Sequence, residues 1–105
     1  MTEYVVEISR DAQADIVSIR DYIRDVLLNP TAAMKFLKDT DEAVSSLEVF
    51  PYMHMVRPGS LLFGGLEKRQ FFYRRDFCLF YVIKEEVKIV RIIKVSYSAR
   101  DLDAE

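Results

Sequence analysis

The side chains best able to do chemistry are cations gathered in the last third of the chain. Lys68, Arg69, Arg74, Arg75, Lys94 and Arg100 are interleaved with aromatic and branched residues in the stretch LEKRQFFYRRDFCLFYVIKEEVKIVRIIKVSYSARDL. Fixed guanidinium and ammonium groups neutralise phosphate or carboxylate oxygens, so the chemistry on offer is engagement of a polyanion or of an acidic protein partner. At strand ends and turns the same charges also keep sheet edges solvated and unpaired. Tyr97 adds a ring able to stack on a base and a hydroxyl able to give a proton, although an unperturbed pKa of about 10 makes it a weak acid. His54 stands alone in an apolar loop, with no Ser, Cys or acid in motif spacing, and is expected to be a loop contact. The single Cys78 lies in an apolar alternating run and reads as inert core. One Cys and one His allow neither an internal disulfide nor a zinc site, so no metal and no cofactor is expected.

Those cations need a scaffold, and the chain is long enough to supply one. A chain of 105 residues forms one domain, 1–105, that buries a core without staples. No apolar run approaches the ~18 residues of a membrane span, and the first residues carry no basic leader, which together with the lone cysteine predicts a cytoplasmic protein. The formal net charge of −2 argues against a general nucleic-acid binder, but it conceals a split. Residues 1–56 carry 5 Lys/Arg against 10 Asp/Glu, whereas residues 57–100 carry 10 against 4. The cationic character is local to the last third.

Residues 4–9 hold β-formers and stop where Ser9 or Asp11 can cap a helix. Apolar residues then recur at Ala12, Ile16, Ile19, Ile23 and Val26, one stripe of an amphipathic helix. Asn29-Pro30 ends that helix and starts another, whose stripe runs through Ala33, Phe36, Leu37, Ala43, Val44, Leu47 and Phe50 to Pro51. Residues 51–65 read as a surface loop whose apolar members either fold back on the core or form a docking groove. Strands are predicted at 70–73, 77–84 and 87–96, joined by short charged turns. The second of these is apolar on both faces and should be central. The third alternates Ile89, Arg91, Ile93 and Val95 against Lys88, Val90, Ile92 and Lys94, with Arg91 expected to find a carboxylate partner. The fold class is therefore α+β, in the order β-α-α-β-β-β, with a helical hairpin packed on a four-stranded, mainly antiparallel, twisted sheet.

Three pieces of this chain resemble the RelE/ParE toxin superfamily of bacterial type II toxin–antitoxin modules, closer to its ParE branch. One is the hairpin, Ala12-x-x-Asp15-Ile16-x-x-Ile19-x-x-Tyr22-Ile23 with Pro30-x-x-Ala33-x-x-Phe36 and Leu47-x-x-Phe50-Pro51. Another is Gly65-Leu66 followed by a basic strand and Phe77-x-Leu79-Phe80-Tyr81. The last is Ile93-Lys94-Val95-Ser96-Tyr97-Ser98-Ala99-Arg100-Asp101. The resemblance implies a growth-arresting toxin neutralised by a cognate antitoxin, acting in one of two ways. ParE-type members poison DNA gyrase and break no bond themselves. RelE-type members cleave mRNA on the ribosome, which needs a base, cations for the phosphorane charge and an acid.

If this chain is a nuclease, the resemblance assigns the catalytic roles to Arg69, Tyr97 and Arg100. Antitoxin or target binding would fall to Lys68, Arg69, Arg74, Arg75, Lys94, Arg100, Leu62 and Phe63. The chain departs from the nuclease pattern where Phe71, Cys78 and Ser98 stand at positions that RelE-type enzymes fill with basic residues. That favours the gyrase-directed toxin over the ribosome-dependent endoribonuclease, with a non-toxic binding module of the same fold as a third class. A common electropositive sheet face carrying Lys68, Arg69, Lys94 and Arg100 is the expected geometry.

Overall fold

The computed structural model describes residues 3–57 and 65–101, and Leu62 and Phe63 lie outside the described residues. Strand β1, Val5–Ile8, leads into helix α1, Arg10–Asp21, at Ser9. The Ser9 hydroxyl accepts the Ala12 N–H at 3.1 Å, which satisfies one of the orphan donors of the first turn. Ala12, Ile19 and Ile23 are buried as the stripe predicts.

Val26 departs from the stripe. The helix widens into a π-turn over Tyr22–Val26, where the Leu27 N–H reaches back five residues to the Tyr22 carbonyl. The wider turn carries Val26 out to 63 % exposure and leaves Leu27 exposed as well. Leu28 then takes a left-handed φ of 53°, and the Asn29 N–H bonds to the Ile23 carbonyl, a Schellman-type stop. Asn29 caps α2, Pro30–Ser46, by accepting the Ala32 N–H at 3.0 Å, with Pro30 in the first turn where its missing donor costs nothing. Helix α2 ends before the predicted stripe does: Leu47 is buried in the following turn, but Phe50 is exposed.

The sheet contains β2, Arg69–Tyr73, β3, Phe77–Lys84, and β4, Ile89–Tyr97, in the order β1-β4-β3-β2. Strands β2, β3 and β4 are antiparallel neighbours, and β1 joins β4 in parallel. The fourth strand begins at Ile89, not at residue 87, because Glu85–Val87 form a 3-10 turn closed by Lys88 at φ 56°. The hairpin covers one face of the sheet, where Leu79, Tyr81, Ile83, Val90, Ile92 and Val95 join Ile19, Phe36 and Leu47 in the core.

The alternation predicted for β4 fails at its middle. Lys94 stands opposite Phe80, yet Ile92 stands opposite Tyr81, so Ile93 is an extra residue in the ladder. This bulge reverses parity: Val90 and Ile92 face the core before it, and Val95 faces the core after it. Tyr97, in register with Phe77, therefore packs on the helix side, while Lys94 and Ser96 lie on the opposite face.

Candidate binding surfaces

The face of the sheet away from the helices is built from alternate residues. Phe80 is its centre, with Lys94 opposite it on β4 and Gln70 opposite it on β2. The Arg57 guanidinium carbon sits 5.3 Å from the Phe80 ring centroid and the Lys68 ammonium 5.7 Å from it. Both cationic groups lie over the ring, and Phe80 is only 7 % exposed. Arg57 reaches this position because residues 55–57 add a short rung to the sheet edge. Its N–H bonds to the Lys68 carbonyl at 2.9 Å, and the Gln70 N–H bonds to the Met55 carbonyl.

Further along this face Arg91 pairs with Glu7 at 3.2 Å across the β4–β1 ladder, the carboxylate partner that its position demands. Phe72, 61 % exposed, stands beside the small, buried Cys78. Burial pushes the Cys78 thiol up to about 11, so it is a packing residue and not a nucleophile.

The four cations expected on one sheet face, Lys68, Arg69, Lys94 and Arg100, do not share it. Lys68 and Lys94 converge at Phe80, but Arg69 points to the helix side, as neighbouring residues of a strand must. There it donates to the His54 carbonyl at 2.7 Å and lies 5.0 Å from the Tyr52 ring, bracing the loop. His54 stacks on Phe71 at 3.7 Å, and burial, with Arg69 adding, lowers its pKa. Met53 and Met55 stay exposed, so they form no lid on the core, although Pro51 is buried beneath the loop.

Arg100 donates to the Ser18 hydroxyl at 2.9 Å and packs 5.7 Å from the Tyr22 ring on α1. Tyr97 meets the same Tyr22 ring at 6.1 Å and Phe77 at 4.9 Å. Burial raises the Tyr97 pKa, with Asp76 and Tyr22 adding.

Arg69 is in register with Tyr81 and Tyr97 with Phe77, four residues further along β3. At the rise of a strand that is about 13 Å. Arg69, turned towards the loop at His54 and Tyr52, and Tyr97, packed on Tyr22 and Phe77, therefore have different neighbours.

Arg74, Arg75 and Asp76 form the β2–β3 turn, and the two arginines have positive φ, 51° and 63°. Arg74 Nε is 3.1 Å from Asp39 Oδ2 on α2, and Lys35 lies 3.6 Å from the other oxygen. Asp39 is only 6 % exposed, next to Thr40, whose hydroxyl shares a 2.7 Å hydrogen bond with Tyr73. Sequence reasoning passed over Arg57 and Asp39. The signal for Asp39 was present, since it falls three residues after Phe36 on an otherwise apolar stripe. Arg57 had no local signal, because its position depends on a rung paired across the loop.

A helical hairpin packed on one face of a small four-stranded sheet matches the RelE/ParE-like fold. The chain matches the family model described as the ParE toxin of the type II toxin–antitoxin system, parDE, over residues 6–102, and it belongs to that family. Its fold is similar to a solved chain of the chromosomal ParDE toxin–antitoxin system from P. aeruginosa, with 24% identity, TM-score 0.72 and coverage of 90% of this chain and 96% of that one. It is also similar to a chain of the toxin–antitoxin complex RelBE2 from Mycobacterium tuberculosis, with 19% identity, TM-score 0.57 and coverage of 92% and 93%. No curated protein matches the chain by sequence. Membership rests on the family match, not on a single cationic face, which the structure divides.

Proposed function

We propose that this chain arrests growth by binding DNA gyrase, not by cutting RNA, and that a cognate antitoxin silences it by covering the open sheet face around Phe80. The observation that carries this is the distance between the would-be catalytic groups. Arg69 is held by His54 and Tyr52, its register position lies about 13 Å along β3 from that of Tyr97, and Tyr97 packs between Tyr22 and Phe77. A phosphoryl-transfer site needs its base, acid and cations within hydrogen-bond reach of one phosphate. Poisoning a protein target needs none of that convergence. Lys68, Arg57 and Lys94 around a ring supply a surface suited to acidic and apolar partners.

The test is purified chain added to gyrase and relaxed plasmid. Loss of supercoiling at near-stoichiometric toxin, restored by the antitoxin, is expected. Unchanged supercoiling alongside cleavage of mRNA on stalled ribosomes would reject the proposal in favour of the ribonuclease. That alternative keeps one supporting observation, that Tyr97 and Arg100 meet at Tyr22.

A further inference from the structure

The turn between β2 and β3 is chemically odd. Two consecutive residues at positive φ are where hairpins favour Asn-Gly, because Gly has no Cβ and the short Asn side chain tolerates the left-handed region better than a long one does. This chain places Arg74 and Arg75 in it, at φ 51° and 63°. An outlier of this kind points to a use for the side chains. Arg74 is also aimed. Asp39, buried on α2, holds its Nε, and no described residue bonds to its two terminal nitrogens. The end of the guanidinium that remains is the fork that binds a carboxylate through two hydrogen bonds.

That fork stands at a cleft of about 280 Å³ between the helical hairpin and the far end of β4. Ile23, Leu27, Phe36, Phe77 and Tyr97 supply its apolar walls, and Arg74 and Lys35, both more than half exposed, are its charged rim. Leu27 reaches the wall because of the π-turn over Tyr22–Val26. The volume falls below the usual 300–1,000 Å³ of a drug-sized ligand site, which suits an anchoring side chain from a docked chain better than a free metabolite. The rim favours an anionic partner: Arg74 and Lys35 outnumber the buried Asp39 that both contact.

We infer that this cleft seats a bulky apolar side chain of an acidic segment of the silencing partner, with a neighbouring Asp or Glu on Arg74. The inference deepens the proposed function, since it rests on silencing by a protein partner. It adds an anchor on the helix side of the sheet, apart from the open face around Phe80.

Phenylbutyrate, an aryl group tethered to a carboxylate, is a minimal probe, with neutral phenylbutyramide as its control. Titration followed by NMR should shift the Arg74 side-chain Nε–H and the Phe77 and Tyr97 ring signals, saturating in the millimolar range. The amide, or the Arg74→Gln variant, should bind at least about fivefold more weakly. Ala32→Trp, which fills the cleft from α2, should abolish the shifts while circular dichroism shows an intact fold. No shifts up to about 20 mM, or shifts indifferent to both the amide and Arg74→Gln, would overturn the site. In the second arm, affinity for the co-expressed antitoxin should fall about tenfold in Arg74→Gln, and an unchanged affinity would overturn the assigned occupant. The fragment arm does not depend on gyrase or growth arrest, so failure there sinks the cleft and leaves the toxin proposal standing. Failure of the gyrase assay does the reverse.

Discussion

Asp15 Oδ2 on α1 accepts the backbone N–H of Val95 on β4 at 3.0 Å. Strand β1 ends at Ile8, opposite Ile92, so beyond that point no strand among the described residues lies beside the outer edge of β4. Asp15 satisfies a donor that the missing strand would have satisfied, and Ser9 reaches the Ile93 carbonyl next to it. Together they hold the bulged segment whose extra residue puts Lys94 on the open face and Tyr97 under the hairpin.

Asp15→Ala should therefore destabilise the fold by about 1–2 kcal/mol, the range for a hydrogen bond to a charged acceptor reduced for partial exposure. Asp15→Asn keeps an acceptor oxygen and should lose less. Urea unfolding at neutral pH measures both, and an unchanged midpoint in Asp15→Ala would show that the bulge holds itself.

Tyr81 is fully buried, and its hydroxyl donates to the Pro51 carbonyl at 2.6 Å, tying the loop after α2 to the central strand. Tyr81→Phe should cost about 1–3 kcal/mol, because it strands a buried carbonyl without a donor. The amide of His54, in the same loop, should exchange faster with solvent in this variant, whereas amides in α1 should not.

Glu85 accepts from Tyr4 at 2.8 Å and Tyr52 at 2.7 Å and pairs with Lys88. The Lys88 ammonium, followed by the two hydroxyls, lowers its carboxyl from 4.5 to about 2. A folded pKa below the unfolded one means that the stabilisation is whole above about 4.5 and is lost as pH falls towards 2. The midpoint difference between the native chain and Glu85→Gln should be present at pH 7 and shrink through that window. A difference that is constant with pH would contradict the assignment.

Cys78, 4 % exposed and pushed up to about 11, should resist alkylation by iodoacetamide at pH 8 in the folded protein and react fully in denaturant. Rapid labelling without unfolding would place the thiol in a different environment.

The sequence made the hairpin legible because its signals are local: Ser9 and Asn29-Pro30 act on the next three residues, and the stripe Ala12, Ile19, Ile23 is set by helical period alone. It concealed the π-turn and the β4 bulge, since one inserted residue changes which face Val26 and Val95 occupy without changing the pattern of residue types. The expected single cationic face failed for a simpler reason. Lys68 and Arg69 are adjacent, and strand parity separates them whatever else the fold does. Arg57 and Asp39 owe their positions to partners distant in the chain, Lys68 and Arg74, which composition and periodicity do not reveal.

The most direct measurement of the central claim is the DNA recovered after gyrase turns over supercoiled plasmid in the presence of this chain and is then stripped with detergent and protease. The account predicts linearised plasmid, dependent on gyrase and abolished by prior addition of antitoxin, with Arg69→Ala and Tyr97→Phe still active whenever they fold. Intact plasmid, together with mRNA cut on ribosomes in a manner that either substitution abolishes, would contradict it.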